Sequence, residues 1–304
     1  MNKVWSINDA PDLTGRRAVV TGANTGLGYE TAKALAAKGC HTILACRDRE
    51  KAEAARRAIS DPYPEATVDV LILDTGSIAS VRSFAENFRK DYDSLDILIN
   101  NAGIMTTPYF QTEEGFEGQL AVNYLGHFLL TGLLLPSLEA APAARVVTLY
   151  SLAHRLGGIQ FDDIHFARGY EPGKSYYQSK MACLMFALEL NQRLIKAGHK
   201  TRSVAAHPGM SQSDLYRHLP RLLRMITGMM GSLLLQPAEQ GALPALYAAL
   251  SADIRGGETI GPGGVGQRKG APRLVEVEES AHRQADRNRL WTMTEEMLGF
   301  SYEL

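Results

Sequence analysis

The sequence predicts an α/β fold of the doubly wound kind, a parallel sheet of about seven strands with helices on both faces. Two observations carry this expectation. Short apolar runs alternate with helical stretches from residue 17 to residue 206, the pattern of a parallel sheet covered on both sides. The first run, residues 17–20, passes straight into Thr21-Gly22-Ala23-Asn24-Thr25-Gly26-Leu27-Gly28 and then into an amphipathic helix, residues 29–38, closed by Gly39. Strand, glycine turn and helix together hold a phosphate. Glycine lets the backbone come close, and the helix N-terminus offers unpaired N–H groups and the positive end of its dipole. The spacing is Thr-Gly-x-x-x-Gly-x-Gly, and a strand and a helix stand on either side of it, the context such a motif requires.

The other elements follow in order. Residues 41–46 are a short apolar strand and 48–60 a charged, alanine-rich helix. Residues 67–73 form a strand ending at Asp74. Residues 77–92 form a helix with Val81, Phe84 and Phe88 on one face. A buried strand at 97–99 runs into Asn100-Asn101-Ala102-Gly103. A long apolar helix spans 113–135 and is ended by Pro136. The fifth strand is 145–150. The second long helix, 176–196, is closed by Gly198, and the sixth strand, 202–206, runs into His207-Pro208-Gly209. From 210 to 236 the chain turns Met-, Leu- and Arg-rich and shows no strand. A helix at 237–250, which Pro244 should kink, is followed by a short strand near 258–260. A Gly/Pro-rich loop (261–272) and a last helix at about 279–297 complete the chain. With no second core, repeat or linker, residues 1–304 read as a single domain.

Bulk properties narrow the function. A chain of 304 residues buries a full core without staples. Hydrophobic content of 45% and charged content of 21% are ordinary for a soluble globular protein. A net charge of −1 gives no basis for a nucleic-acid partner. Cys40, Cys46 and Cys183 are odd in number and lack metal or redox spacing, which fits a reducing compartment and a cytoplasmic location. Residues 1–16 lack an apolar h-region, so no signal peptide is expected. No run of about 18 apolar residues is seen, so no transmembrane anchor is expected either.

Nucleotide choice in such folds is read at the end of the second strand, where an acid bonds the ribose 2′-hydroxyl and an arginine accommodates a 2′-phosphate. Here that strand ends at Arg47, with Asp48 one position late. The reading is therefore NADP (NADPH) rather than NAD, against the plainer alternative of a solvated surface arginine. Asp74 is placed to accept from the adenine amino group; as a helix cap, Ser77 is the better candidate.

The chemistry points to Ser175-Tyr176-Tyr177-Gln178-Ser179-Lys180. Tyr176 and Lys180 are four apart on a helix and share a face. A phenol near its ordinary pKa of about 10 is a poor base. A neighbouring ammonium favours the phenolate, so Tyr176 could exchange a proton with a substrate oxygen. Ser151, at the end of the fifth strand, offers a hydroxyl to polarise that oxygen. Asn123, inside an apolar helix, needs partners, and a water leading to Lys180 would supply them. Each residue alone has a structural explanation; together they stand in order at the carboxyl edge where open α/β sheets bind ligands.

With these residues in place, the chain resembles the short-chain dehydrogenase/reductase family over nearly its whole length, from about Gly15 to Phe300. The residues that carry the resemblance are Thr21-Gly22-x-x-x-Gly26-x-Gly28, Asp74, Asn100-Asn101-Ala102-Gly103, Asn123, Ser151, Tyr176-x-x-x-Lys180 and Pro208-Gly209. Within the family it is similar to the retinol-dehydrogenase-like and protochlorophyllide-reductase-like branch, on Ala45-Cys46-Arg47-Asp48, residues 122–128, Ser151-Leu152-Ala153-His154 and Arg289-Leu290-Trp291. The resemblance implies a Rossmann fold and an NADP-dependent oxidoreductase acting on the carbonyl or alcohol of a lipophilic substrate. It implies Tyr176 as general acid/base, Lys180 as its activator, Ser151 as the polarising hydroxyl and Asn123 as holder of the relay water. It also implies a cofactor site at Gly22, Asn24, Thr25, Gly26, Leu27, Gly28, Asn101, Ala102, Gly103, Pro208, Gly209, Ser211 and Ser213, besides Arg47, Asp74, Tyr176 and Lys180. Ser213 stands where a threonine often bonds the nicotinamide amide, and Tyr150 where a serine commonly precedes the catalytic one. Animal retinol dehydrogenases often carry an N-terminal membrane anchor; none is read here. The alternatives are a non-catalytic NADP-binding redox sensor and a scaffold.

Two expectations concern the periphery. Residues 210–236 fall where this fold places a variable substrate lid, and methionine suits adaptable apolar contact. The two long helices are apolar all round, with Ala182, Cys183, Phe186 and Leu190 on the far side of the second. Two-fold pairing through these faces, a homodimer, is expected unless the lid or the C-terminal helix covers them. His154, His207 and His218 read as cleft or surface residues, and Asp162-Asp163 as a loop rather than a catalytic pair.

Overall fold

The computed structural model describes residues 4–211 and 235–304. Among these the sheet has eight strands: β1 (Arg17–Thr21), β2 (His41–Cys46), β3 (Val68–Ile72), β4 (Ile97–Asn100), β5 (Arg145–Leu149), β6 (Arg202–Ala206), β7 (Thr259–Pro262) and β8 (Pro272–Leu274). Their order is β3-β2-β1-β4-β5-β6-β7-β8. The first seven pair in parallel, and β8 returns antiparallel to β7, with Pro262 opposite Pro272. The expected sheet of seven parallel strands is present; β8 is an addition that begins at the last residue of the stretch read as loop. A three-residue edge strand that starts on a proline carries no alternation to read.

Side chains alternate across the sheet, as the pleat requires. Val19, Leu98 and Val146 enter one apolar layer, with α3 (Ile78–Asp91), α4 (Gly118–Ala140) and α5 (Pro172–Lys196). Ala18, Val20, Ile97, Ile99 and Val147 enter the other, with α1 (Gly26–Ala37), α2 (Arg49–Ser60) and α6 (Ala238–Leu250). The strand order reverses between β1 and β4, and the crevice at their carboxyl ends is where such sheets take ligands.

Three helix limits differ from expectation. The helix expected from residue 113 starts only at Gly118, because the Glu117 carboxylate caps it, accepting from the N–H groups of Gln119 and Leu120 at 2.9 and 2.7 Å. Pro136 does not stop it; the helix runs on to Ala140, held by buried Leu134, Leu135 and Leu138. The second long helix begins at Pro172, whose missing N–H costs nothing in a first turn. By length and composition α4 could cross a membrane, but most of its surface is buried inside the fold. Within it Ala121–Leu125 form a π-helical turn that contains Asn123.

The premise for two-fold pairing is corrected. The far faces of α4 and α5 are covered by α7 (Gln284–Leu298) and the tail after it. Trp291 stands 4.9 Å from the ring centroid of Phe128 and 6.0 Å from that of Phe186, and Tyr302 stands 4.9 Å from Phe128. Tyr124 and Thr294 share a buried hydrogen bond of 2.8 Å. Glu189, on α5, is buried against Arg193, Arg287 and Gln284. Ala182, Cys183, Phe186 and Leu190 are therefore buried within one chain. A helix apolar all round must be covered, but sequence does not say by which segment.

Candidate active site

The turn after β1 has the shape its glycines require. Gly22 and Gly26 have φ of +66° and +57°, backbone that side chains rarely adopt. A Cβ on Gly28 would stand 2.4 Å from the Gly22 carbonyl oxygen and 2.5 Å from Asn101 Nδ2. Thr25 precedes α1 in extended conformation and makes no side-chain cap, so the first N–H groups of α1 are left for another acceptor. No atom lies within 4 Å of where a Cβ on Gly26 would be. The turn thus fits a phosphate, with Asn24, Thr25 and Leu27 at its partly exposed rim.

Asn101, Ala102 and Gly103 form the facing wall. Asn101 Nδ2 donates to the Thr21 carbonyl at 2.8 Å, and the Asn101 and Ala102 N–H groups donate to Thr21 Oγ1 at 2.9 and 2.8 Å. Thr21, read only as part of the motif, is the joint between the two turns. At the other end Arg47 and Asp74 come within 3.8 Å across the mouth of a cavity of about 430 Å³. Its lining also includes Ile104, Thr107 and Val122. Asp74 Oδ1 accepts from Gly76 N–H. Ser77, as expected, caps α3, accepting from Ser80 N–H. Asp48 is spent as the cap of α2, accepting from Lys51 N–H.

Tyr176, Lys180, Ser151 and Asn123 are brought together at the carboxyl ends of β4 and β5. Ser151 accepts from Ala153 N–H at 3.2 Å, capping a short turn, and its hydroxyl lies near enough to the Tyr176 phenol to favour the phenolate. Burial pushes Tyr176 up to about 12, and the Ser151 contact partly offsets it. The expected lowering by Lys180 is not what sets this value. The Lys180 ammonium, itself held below its usual pKa by burial, donates to the Leu149 carbonyl at 3.2 Å. Sharing a helix face brought the two side chains to one site without pairing their charged ends. Asn123 donates to the Ile104 carbonyl and to Ser179 Oγ, and accepts from Ile104 N–H. Both of its donors are used and one acceptor site remains. A Cβ on Gly103 would stand 3.1 Å from Asn123 Oδ1 and 3.5 Å from Lys180 Nζ, so all three converge.

Pro208 and Gly209 close the site on the β6 side. Gly209 has φ +65°, and a Cβ there would stand 2.3 Å from the Arg268 carbonyl. Ser211 is buried and bridges to Gln236, whose Nε2 donates to the Pro208 carbonyl. Ser211 and Gln236 thus meet beside Pro208. Ser213, His218 and the body of the expected lid lie outside the described residues. His154 and His207 are buried rather than at the surface. His154 Nδ1 donates to the Ser151 carbonyl at 2.7 Å, and both imidazoles lie against Tyr150. Asp162 and Asp163 sit in a short turn and part company, to Arg289 and to the N–H groups of Ala167 and Arg168.

Comparison with known proteins bears on the family and the fold. A family model described as short chain dehydrogenase matches residues 16–221. Human retinol dehydrogenase 13 is 39% identical over 300 residues, covering 94% of this chain and 86% of that protein. A crystal structure from Mycobacterium paratuberculosis superposes with a TM-score of 0.83 at 38% identity, covering 99% of this chain and all of that one. A Pseudomonas aeruginosa RhlG/NADP active-site complex superposes with a TM-score of 0.64 at 25% identity, over 82% of this chain and 94% of that one.

Proposed function

The chain belongs to the short-chain dehydrogenase family, and we propose that it is an NADPH-dependent oxidoreductase of lipophilic carbonyls and alcohols. The observation that carries this reading is the buried Tyr176 phenol near the Ser151 hydroxyl, with Lys180 on the same helix. The cofactor, when bound, supplies or accepts the hydride. The rest is done by the chain. The glycine turn and the N-terminus of α1 take the pyrophosphate, and Arg47 takes the 2′-phosphate. Ser151 Oγ and the Tyr176 hydroxyl orient the substrate oxygen. In reduction, as the carbonyl carbon gains hydride, Tyr176 gives its proton to that oxygen; in oxidation it takes one back. Lys180 and the open acceptor of Asn123 lie on the route that restores the phenol proton.

Preference for NADPH rests on Arg47 at the end of β2, with Asp48 committed to capping. The superposition on an NADP complex supports it. A lipophilic substrate, such as a retinoid, long aldehyde, steroid or aromatic ketone, is supported by the retinol dehydrogenase relative and by the Met- and Leu-rich composition of residues 210–236. The test follows NADPH absorbance with a panel of such carbonyls, for the native protein and for Tyr176→Phe. Turnover that Tyr176→Phe abolishes while NADPH still binds is the expected result. Cofactor binding without turnover on any substrate selects the redox-sensor alternative.

A further inference from the structure

His127 lies in the first turn of the α-helical part of α4, fully buried between the two halves of the site. Its Nε2 is 2.9 Å from Thr21 Oγ1, and its Nδ1 is 2.9 Å from the Asn123 main-chain oxygen. The protons can be counted. Thr21 Oγ1 accepts from the N–H groups of both Asn101, which also reaches the Ile99 carbonyl at 3.0 Å, and Ala102, so both of its lone pairs are engaged. It therefore meets His127 only as a donor, sharing its one proton with the Ile99 carbonyl at 3.3 Å. Nε2 must then accept. A carbonyl oxygen only accepts, so Nδ1 must carry the ring proton and give it to Asn123. A second ring proton would point at an oxygen with no free lone pair.

We infer that His127 is a positioning residue, a neutral Nδ1–H imidazole that fixes the cofactor turn at Thr21 to the π-helical turn that carries Asn123. The Asn123 carbonyl receives a second donor from α5, the Cys183 thiol at 3.1 Å. One turn before Cys183 on that helix stands Lys180. Through Thr21 and Asn123 the imidazole thus links β1 and the β4 turn to α4 and α5 by side-chain bonds, a link between sheet and helices that no main-chain ladder supplies. π-Turns recur at functional sites; here the Asn123 carbonyl within one receives two side-chain donors. Burial and the nearby Lys180 charge both disfavour a second ring proton, in keeping with the count. The kinetic consequence rests on the NADPH-dependent reading above; the tautomer does not.

The test has two readouts. In protein labelled with 15N at histidine, the His127 ring shows a protonated Nδ1 and a bare Nε2 at neutral pH, its resonances assigned by their loss in His127→Asn. An Nε2–H tautomer, or a doubly protonated ring, overturns the assignment whatever the substrate is. The second readout compares His127→Asn, whose amide still reaches the Asn123 carbonyl, with His127→Leu, which fills similar volume and makes neither bond. His127→Leu is expected to lose about a hundredfold in kcat and to bind NADPH several-fold more weakly in a fluorescence titration. His127→Asn is expected to regain most of kcat but not the NADPH affinity. A leucine variant as active as the native protein, or folded variants equally impaired in kcat, overturns the positioning role. If the leucine variant does not fold, native NADPH affinity in His127→Asn has the same force. The titration and the tautomer need no turnover, so they hold or fail apart from the proposed reaction.

Discussion

The Lys180 ammonium donates to the main-chain carbonyl of Leu149 at 3.2 Å, two residues before Ser151. The bond fastens α5 to the end of β5, so Tyr176 and Ser151 are fixed relative to each other by a lysine–backbone contact rather than by a lysine–phenol pair. Burial, raising Tyr176 to about 12, keeps its phenol protonated at neutral pH, the form that donates to a carbonyl oxygen. Carbonyl reduction should therefore vary little between about pH 6 and pH 9, whereas alcohol oxidation, which needs the phenolate, should rise with pH over that range. Measuring kcat in both directions checks this. An oxidation rate that falls as pH rises removes Tyr176 as the proton acceptor.

Ser151→Ala removes the hydroxyl near the Tyr176 phenol. It should lower kcat by on the order of 10²-fold while leaving NADPH affinity near native, because the lost contact is to the substrate oxygen. A rise in cofactor Kd with unchanged kcat would place Ser151 outside the chemistry.

Arg47 is largely exposed and sits 3.8 Å from Asp74 at the mouth of the cavity. Arg47→Ala should raise KM for NADPH by on the order of 10-fold, the loss of one hydrogen bond to a charged group. KM for NADH should be little changed. Equal effects on the two cofactors would show that Arg47 does not read the 2′-phosphate.

Acid should weaken the fold through two buried histidines. Burial lowers His127 to about 4 and His207 to about 3 from the usual 6.5 of an imidazole. Below 6.5 the unfolded chain binds protons that the folded chain refuses, so stability is full above that pH and is lost as pH falls toward these folded values. The melting temperature should drop between pH 6.5 and pH 4. Of the two rings, only His127 stands to shrink that drop when it is replaced by asparagine. A flat profile, or one indifferent to the replacement, argues against a buried neutral ring.

Phe186 is buried among Tyr124, Phe128 and Trp291. Truncating such a ring costs about 3–5 kcal/mol, and an unpaired carboxylate in its place costs more. Phe186→Glu should therefore lower the melting temperature strongly or prevent folding. Native thermal stability with only a change in size-exclusion volume would restore this face as an interface between copies.

The sequence by itself determined the alternation of elements, the seven parallel strands, the glycine turn and the residues gathered at the carboxyl edge. These rest on local signals: hydrophobic period, glycines that tight backbone requires, and the four-residue spacing of Tyr176 and Lys180 on one helix face. Tertiary structure decided what long-range contact decides. It made β8 a strand, because β7 offers it an edge. It carried α4 through Pro136, because buried leucines on either side of it outweigh one missing N–H. It laid Trp291 and Tyr302 over the faces of α4 and α5, a choice of partner that no periodicity encodes. It aimed Lys180 at Leu149 and joined Thr21 to Asn123 through His127. Those bonds link residues up to 106 apart in the chain, and hydrogen-bond partners at such separation are set by where the backbone brings donors and acceptors together, not by the residues on either side of them in sequence.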